Sequence, residues 1–396
     1  MLSFDYLGGL IASILFPLVL LPYFGLVQLG FITGLINLSM AFLALALFWS
    51  HIKHKMIHLV SLILIGCILV SGAIFSAKIY NFIESGLYRD PIVYSEQTLF
   101  QRIVLTKKGN DTRLYLNGGI QFSSQDEYRY HEGLILPAML AKLTQNQNLN
   151  IVIFGGGDGL AVKQLLRFND SIASVTVVDI DQVMTNLAKN SNLLTSINGD
   201  SLNSTKVKIA NQDAWSWIQT QSKESIDLII SDLPDPDDTA VAKLYSQEFF
   251  KFSNLALKKN GLFITQSSSP YATPKVFWSE NKTLATVFPQ IIPYQVYVPS
   301  FGLWGFNLAS KEQIDQNDIK QLIINQKSTF DQNQNLKSAR FLSSTNLESI
   351  FTLSPDILDP KLSNGMNIDL NTLKINTLDN LILVKYYTET GQEVLI

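Results

Sequence analysis

The chain has almost no cysteine and no surplus of basic residues. Its only cysteine, Cys67, lies inside an apolar run, which excludes a disulfide framework and a thiolate metal site. The 30 Lys and Arg residues are outnumbered by 33 Asp and Glu residues, for a net charge of −3. A protein that neutralises a phosphate backbone needs a basic face, and no cluster of Lys or Arg is present in the sequence. Nucleic acid is therefore excluded as a partner.

Charged residues are also missing from three long runs near the start of the chain, at 7–26, 31–49 and 59–77. Each run has about 20 residues, the length that a helix needs to cross roughly 30 Å of hydrocarbon. We therefore predict about three transmembrane helices. A cleaved signal peptide fits less well, because its apolar core is shorter and is not followed by two more such runs. Buried core helices of a soluble protein are the remaining alternative.

Short apolar strands separated by polar residues begin after these runs. Residues 103–106, 114–116 and 119–122 are typical of strands, and Asn117-Gly118 favours a two-residue hairpin turn. From residue 150 onward, strand-like and helix-like segments alternate, which predicts a parallel sheet with helices on its faces. Ligands bind such sheets at the carboxyl ends of the strands, so candidate site residues are sought there.

A glycine-rich turn, Gly155-Gly156-Gly157-Asp158-Gly159, follows the first strand of the alternating region and precedes a helix. Glycines at this place let the backbone approach a ligand, and the helix N-terminus presents free N–H groups. Asp179 ends the next strand about 20 residues later, where a carboxylate can accept both ribose hydroxyls. The turn lacks the third glycine of the dinucleotide fingerprint. We therefore predict an S-adenosyl ligand, bound by Gly155, Gly157, Asp158, Gly159 and Asp179.

The predicted fold consists of N-terminal transmembrane helices, a small β unit and an α/β Rossmann-like domain of the class I methyltransferase type. The predicted boundaries are 1–90 for the membrane segment, 91–130 for the β-hairpin domain, 131–326 for the Rossmann-like domain and 327–396 for a C-terminal extension. The extension is polar, ends in a run at 381–387 that favours one more strand, and receives no chemical role from its sequence.

Acidic residues follow two further strands of the predicted sheet. Asp213 precedes a helix and has two compatible roles, as acceptor of the adenine amino group and as N-cap of that helix. The segment Ser231-Asp232-Leu233-Pro234-Asp235-Pro236 places two carboxylates on a loop that prolines stiffen, which makes it the best catalytic candidate. The alternative is an ordinary solvated Asp-Pro turn.

A second acidic group, Gln125-Asp126-Glu127, precedes the α/β domain and is followed by Tyr128, Tyr130, His131 and Glu132. Charged residues beside aromatic ones are more typical of a solvated surface than of a site. On residue types alone, this group is interpreted as surface.

The motifs together resemble those of spermidine synthases in both sequence and order. They are GIQFSSQDEYRYHE at 119–132, GGGDG at 155–159, Asp179-Ile180-Asp181, Asp213-Ala214, Asp232-Leu233-Pro234-Asp235-Pro236 and Leu244-Tyr245. The similarity covers roughly residues 93–310, and the apolar start resembles the membrane segment fused to some bacterial members. The chain is thus similar to polyamine aminopropyltransferases, which implies transfer of the aminopropyl group of decarboxylated S-adenosylmethionine to a diamine such as putrescine, with release of methylthioadenosine.

The resemblance also implies a role for each matching residue. Asp232 is the general base that takes a proton from the attacking amine, Asp235 holds the diamine, and Asp126 contacts the aminopropyl ammonium of the cosubstrate. Gln101 is the Gln of the family's Tyr-Gln pair, while Asp179 and Asp213 bind ribose and adenine. The chain departs from the family at two places, where Phe100 replaces the Tyr of that pair and Asp237-Asp238-Thr239-Ala240 replaces the usual Gly-Pro-Ala.

The implied partners are decarboxylated S-adenosylmethionine, a putrescine-like diamine and the cell (inner) membrane, with no cofactor, metal or nucleic acid. A multi-pass protein with its catalytic domain in the cytoplasm is expected, because the cosubstrate is cytosolic, and self-association into a homo-oligomer is left open. Two other functions also stay open. A methyltransferase is disfavoured because Asp126 repels the carboxylate of S-adenosylmethionine. A membrane protein that binds a polyamine or nucleoside without turnover is kept open by Phe100 and the altered loop.

Overall fold

The computed structural model describes residues 2–20, 24–143, 148–312, 316–359 and 368–393. The chain forms two compact units, one of residues 1–93 with 106–108 and the other of residues 94–105 with 109–396. The predicted boundaries after residues 130 and 326 both fall inside the second unit.

The first unit is helical. Its elements are Leu2–Leu15, a π-helical segment Phe16–Leu20, Leu26–Leu47, Lys55–Ile74 and Ser76–Leu87. Two segments, Val27–Leu47 and Lys55–Ile74, have 21 and 20 residues with mean hydropathies of 2.0 and 2.5, and are long and apolar enough to cross a membrane by length and composition.

The first of the three predicted spans, 7–26, is not a continuous long α-helix. The α-helix ends at Leu15 and a π-helical segment follows it. Pro17 lies within that segment and lacks the N–H that an α-helical hydrogen bond requires. Residues 21–23 lie outside the described residues. The prediction of three spanning helices is therefore corrected to two candidate spans among the described residues.

Glycines let the two long apolar helices approach each other closely. A Cβ atom at Gly72 would lie 2.2 Å from Phe31 Cε1, and one at Gly34 would lie 2.9 Å from Leu69 Cδ2. Small residues at a helix interface are typical of pairs that pack by close van der Waals contact, without help from water.

The small sheet of the chain has four strands in the order β1-β2-β3-β4. They are β1 (Ile92–Gln97), β2 (Arg102–Lys108), β3 (Asp111–Leu116) and β4 (Gly119–Ser123). Three of these strands were predicted, and β1 was not. Asn117 and Gly118 join β3 to β4 with φ angles of 51° and 87°, the left-handed backbone that a tight hairpin turn requires.

The large sheet has seven strands in the order β10-β11-β9-β8-β5-β6-β7. They are β5 (Leu149–Gly155), β6 (Ile172–Val178), β7 (Val207–Ala210), β8 (Ile226–Asp232), β9 (Leu257–Gln266), β10 (Gln290–Val298) and β11 (Gly302–Ser310). Strands β5 to β9 are parallel, and β11 runs antiparallel to both β9 and β10. The strand order reverses between β5 and β8, and in open α/β sheets such a switch point is where ligands bind.

Helices cover both faces of the large sheet, as the alternating pattern predicted. Ile151 and Ile153 of β5 belong to one buried core cluster, whereas Val152 and Phe154 belong to another. Successive side chains of a strand point to opposite faces, so β5 is buried on both sides. The α-helices of this unit are Glu127–Leu143, Leu160–Leu165, Gln182–Asn190, Asn192–Asn198, Ala214–Gln219, Thr239–Ala242, Gln247–Ala256, Pro274–Ala285, Gln316–Asn325, Lys327–Gln332, Gln334–Lys337, Pro355–Leu358 and Ile382–Glu393.

The predicted strand at 381–387 is wrong, because this segment is the first part of the helix Ile382–Glu393, called here the C-terminal helix. Leu383 and Thr390 are 0% and 3% exposed, and their spacing of two helical turns places them on one side. A short apolar run rich in aromatic and branched residues does not distinguish a strand from a half-buried helix.

Candidate active site

The glycine turn after β5 is wedged between the carboxyl ends of β6 and β8. Gly155 pairs with Asp232 in the sheet, and a Cβ atom there would lie 2.2 Å from the Asp232 carbonyl oxygen. A Cβ atom at Gly157 would lie 2.4 Å from Asp179 Oδ2. Gly159 has a φ angle of 81° and precedes the helix Leu160–Leu165. The glycines therefore bring the turn into contact with two of the predicted site carboxylates.

Asp179 stands at the end of β6 with its carboxylate against the turn. The N–H of Gly157 donates to Oδ2 at 3.0 Å and the N–H of Asp181 donates to Oδ1 at 2.8 Å. Burial raises the pKa of Asp179 to about 6, against the effect of these hydrogen bonds. Asp179 as a whole residue is half-buried, and its carboxylate lies against the backbone of the turn.

Gln101 lies beside the same strand end. Its Nε2 donates to Asp181 Oδ2 at 2.9 Å, and Thr98 Oγ1 donates to that oxygen at the same distance. Phe100, which stands where the family has a Tyr, is 50% exposed. The structure thus brings Gln101 together with the segment that follows β6.

Asp213 is the N-cap of the helix Ala214–Gln219, which confirms the capping role. Its side chain accepts from the N–H of Trp215 at 3.4 Å, and Lys243 Nζ lies 3.3 Å from Oδ2. The adenine contact stays a prediction.

Asp232 ends β8 and is oriented by a tyrosine from another element. Tyr130 donates its hydroxyl to Asp232 Oδ1 at 2.7 Å and is itself only 8% exposed. Burial raises the pKa of Asp232, while the charge of His131 and the Tyr130 hydrogen bond oppose that rise. Asp232 is half-buried, and the alternative of an ordinary solvated turn is wrong for it.

A buried ion pair lies behind these carboxylates. His131 Nδ1 lies 2.8 Å from the Glu127 carbonyl oxygen and 3.2 Å from Glu127 Oε2. Burial lowers the pKa of His131, but the hydrogen bond and charge of Glu127, together with the charges of Asp158 and Asp232, raise it to about 9. The positive charge of His131 lowers the pKa of both Asp158 and Asp232. The interpretation of this segment as solvated surface is therefore wrong for most of its residues, since the buried ones are Asp126, Glu127, Tyr130, His131 and Glu132.

Asp158 faces this carboxylate cluster from within the glycine turn. Its Oδ1 accepts from the N–H of Leu160 at 2.9 Å. Burial raises its pKa to about 6; the charge of His131 opposes the rise and that of Asp232 adds to it. Asp158, which was predicted to bind the S-adenosyl compound, therefore lies within electrostatic reach of Asp232, the candidate base.

Asp235 accepts hydrogen bonds from three side chains. Ser268 Oγ donates to Oδ1 at 2.6 Å, Gln266 Nε2 lies 3.4 Å from that oxygen, and Tyr387 donates its hydroxyl to Oδ2 at 2.9 Å. Ser268 has a φ angle of 56°, a left-handed conformation that is costly for a residue with a side chain and that aims its hydroxyl at Asp235. Burial raises the pKa of Asp235, and the three hydrogen bonds lower it.

Tyr245 holds the loop that carries Asp235. This tyrosine belongs to the Leu244-Tyr245 motif, to which the sequence assigned no role. The Tyr245 oxygen lies 3.0 Å from the Pro234 carbonyl oxygen and 3.2 Å from that of Leu233. Gln266 Nε2 donates to the same tyrosine oxygen at 2.7 Å. The Asp-Pro loop is therefore fixed by buried hydrogen bonds as well as by its prolines.

Asp126 accepts hydrogen bonds from Ser300. Its two oxygens accept from the hydroxyl of Ser300 at 2.9 and 2.7 Å, and Oδ2 also accepts from the N–H of Ser300 at 2.7 Å. Asp126 is 6% exposed. Its carboxylate therefore anchors the turn between β10 and β11. The contact with the aminopropyl ammonium stays a prediction.

The site as a whole is acidic and half-buried. Asp158, Asp179, Asp232 and Asp235 all have raised pKa values, because burial disfavours their charged forms. A cationic ligand restores the charged forms, so the arrangement favours a ligand that carries positive charge.

Two solved structures that superimpose on this chain are spermidine synthases. The spermidine synthase from Thermotoga maritima superimposes with a TM-score of 0.60 and 23% identity over 68% of this chain and 87% of that one. A spermidine synthase in complex with the transition-state analogue AdoDATO gives a TM-score of 0.61 and 23% identity over 68% and 88% of the two chains. At this identity the likeness shows the fold.

Sequence comparisons are closer and extend into the N-terminal region. The model of the spermine/spermidine synthase domain matches residues 127–321. The polyamine aminopropyltransferase of Oceanobacillus iheyensis is 37% identical over 389 residues, 98% of this chain and 71% of that protein. The polyamine aminopropyltransferase of Leptospira interrogans is 36% identical over 394 residues, 100% of this chain and 73% of that protein. The chain belongs to the polyamine aminopropyltransferase family.

Proposed function

We propose that this aminopropyltransferase joins the aminopropyl group of decarboxylated S-adenosylmethionine to a putrescine-like diamine, with Asp232 as the general base. The observation that carries the proposal is the placement of half-buried Asp232 directly beside the glycine turn at the switch point of the sheet, with half-buried Asp235 three residues further along the same loop. In this proposal Asp232 accepts a proton from the amine, and Asp235 binds the positively charged ammonium group of the diamine.

The reaction needs a base because the acceptor is protonated in water. An alkyl amine has a pKa of about 10 and cannot attack carbon until one proton is removed. The raised pKa of Asp232 makes it a better proton acceptor than a solvated aspartate, and Tyr130 holds the carboxylate in place. The amine nitrogen then bonds to the aminopropyl carbon, the carbon–sulfur bond breaks with its electrons moving to sulfur, and methylthioadenosine leaves.

The nucleoside half of the cosubstrate fits the other side of the turn. We assign the ribose hydroxyls to Asp179 and the adenine amino group to Asp213, with Gly155, Gly157 and Gly159 allowing close approach of the ligand to the backbone. The sulfonium is an activated leaving group, so the protein mainly aligns nitrogen, carbon and sulfur in one line.

Replacement of Asp232 by Asn tests the base. Turnover should fall by a factor of about 100 to 10,000, the usual contribution of a general base. Methylthioadenosine release with a panel of diamines measures the reaction, and calorimetric binding of methylthioadenosine serves as the control, which should stay near the wild-type value. Near wild-type turnover in this variant would remove Asp232 from the role.

We also propose that the two long apolar helices span the cell (inner) membrane, with the catalytic unit in the cytoplasm beside its cosubstrate. Only 11% and 6% of the residues in the most apolar stretches of these two helices are buried, whereas the core helix of a soluble protein is mostly buried. The exposed surface of these helices is rich in Ile, Leu, Val and Met, which suits a lipid environment.

A further inference from the structure

The C-terminal helix contacts Asp235, the proposed ligand of the diamine, although the two are distant in sequence. Tyr387 donates its hydroxyl to Asp235 Oδ2 at 2.9 Å, while Ser268 donates to Oδ1 at 2.6 Å. Each carboxylate oxygen therefore has its own hydroxyl donor, and the two donors come from different elements. This arrangement fixes the plane of the carboxylate.

The helix is docked firmly enough to hold that contact. Leu383 is fully buried in the core cluster of the second sheet face, and Tyr387 packs against the same cluster. Lys275 of the helix Pro274–Ala285 forms an ion pair with Glu389 at 3.0 Å. Packing and charge thus both tie the C-terminal helix to the helix beside the site.

The segment before the helix is bound to the loop that follows Asp235. Asn376 is fully buried, and its side-chain amide donates to the Ala242 carbonyl oxygen at 2.8 Å. Its carbonyl oxygen accepts from the N–H of Gln247 at 2.9 Å, and its N–H donates to Thr283 Oγ1 at 2.9 Å. Residues 368–393 therefore pack against the segment that follows the Asp235 loop.

We propose that Tyr387 is a positioning residue for the amine acceptor and that the C-terminal helix completes this half of the active site. The inference rests on the proposed role of Asp235 as ligand of the diamine ammonium. The side-chain donors recorded on Asp235 are neutral hydroxyl and amide groups, so they orient the carboxylate without cancelling its charge. An oriented and uncancelled carboxylate is what a primary ammonium group needs for a short, directed hydrogen bond.

Other titratable groups around Asp235 make the Tyr387 contact important for its charge. Asp237 on the same loop raises the pKa of Asp235, and Glu280 of the helix Pro274–Ala285 and the phenols of Tyr130 and Tyr245 are also within electrostatic reach. The hydrogen bonds from Ser268, Tyr387 and Gln266 lower the pKa of Asp235. Loss of the Tyr387 hydroxyl therefore raises the pKa of Asp235 further and leaves its carboxylate less well oriented, so ammonium binding weakens.

The test is replacement of Tyr387 by Phe in the full chain. The KM for the diamine should rise by a factor of about 10 to 100, the effect of losing a hydrogen bond to a charged group. The KM for decarboxylated S-adenosylmethionine should stay unchanged. The acidic limb of the pH profile of kcat/KM for the diamine should move to higher pH, because the carboxylate now loses its proton at higher pH.

Tyr386→Phe is the matched control. Its hydroxyl accepts from the N–H of Lys374 at 3.3 Å and belongs to the same helix, and this variant should keep the wild-type KM and pH profile. An unchanged diamine KM in Tyr387→Phe overturns the inference, and so does an equal rise in both tyrosine variants, because docking of the helix rather than the Tyr387 hydroxyl would then be responsible.

Asp235→Asn separates the inference from the function on which it rests. If Asp235→Asn raises the diamine KM and Tyr387→Phe does not, the proposed function stands and the positioning role falls. If Asp235→Asn leaves the diamine KM unchanged, the assignment of Asp235 as acceptor ligand falls, and the inference falls with it.

Discussion

At the scale of single residues, the site depends on how closely the backbone of the glycine turn meets the neighbouring carboxylates. Gly157 lies so close to Asp179 that any side chain would displace the carboxylate. The same contact supplies a hydrogen bond from the Gly157 N–H to Asp179. Glycine at this place is therefore needed for the position of the proposed ribose ligand, rather than for backbone freedom.

Gly157→Ala should weaken binding of methylthioadenosine by at least about tenfold, because the new Cβ atom and Asp179 Oδ2 cannot both keep their places. Isothermal calorimetry measures the affinity. Gly119→Ala is the control, because a Cβ atom there meets its nearest neighbour, the Leu116 carbonyl oxygen, at 3.4 Å, an ordinary contact. Equal affinity in wild type and Gly157→Ala would show that Asp179 does not hold the nucleoside.

Some residues of the site could be predicted from strand-and-turn patterns, and others could not. The glycine turn, Asp179 and the pair Asp232 and Asp235 follow strands directly, so strand-and-turn patterns predicted them. Tyr130 could not be predicted this way, because its partner Asp232 is 102 residues away and only the folded sheet brings the two together. The contact between Asp126 and Ser300 could not be predicted either, because the two residues are 174 positions apart.

At the scale of elements, one buried carboxylate ties the C-terminal region to the helix Glu127–Leu143. Glu132 is fully buried and accepts from the N–H groups of Arg340, Phe341 and Leu342 at 2.8, 2.8 and 2.9 Å. Three adjacent backbone N–H groups converge on one side chain, and each is costly to leave without an acceptor. This contact anchors the chain segment that follows the helix Gln334–Lys337.

Glu132→Gln should lower the free energy of unfolding by about 1 to 3 kcal/mol, because the amide offers one oxygen in place of two and sets an N–H group against a backbone N–H. Urea unfolding followed by circular dichroism measures the change. The control is Glu348→Gln, whose ion pair with Lys327 is 59% exposed on the glutamate side and should contribute less than about 1 kcal/mol. An equal loss in both variants would contradict the anchoring role.

The sequence predicted the type of most elements of the large sheet, and it failed at the C-terminal helix for a physical reason. The strands of the large sheet are apolar runs bounded by turns, whereas the segment 381–387 packs one side on a core formed by distant residues such as Phe249. Only contact with that core decides between helix and strand for so short a run. Its chemical role was missed together with its structure.

At the scale of the whole molecule, the apolar helices of the first unit and the acidic site of the second require different surroundings. The helices Val27–Leu47 and Lys55–Ile74 expose apolar surface along most of their length. Such surface is unstable in water and stable in lipid. The catalytic residues, in contrast, work on charged and water-soluble ligands.

The full chain should sediment with membranes and resist extraction by alkaline carbonate, while detergent should release it in active form. Cys67, the single cysteine, lies exposed on the helix Lys55–Ile74 and offers a second readout. A water-soluble maleimide should leave it unmodified in intact membranes, because the reagent does not enter hydrocarbon. Release by carbonate, or rapid modification of Cys67 in membranes, would contradict a spanning arrangement.

The contact between Asp235 and Tyr387 also sets an order for assembly of the enzyme during synthesis. The two residues are 152 positions apart, whereas Gly157 and Asp179 are 22 apart. The residues proposed for the nucleoside, Gly157, Asp179 and Asp213, are therefore all synthesised well before residue 387. A chain cut before residue 387 is therefore expected to keep the residues proposed for the nucleoside and to lack the Tyr387 hydroxyl that orients Asp235.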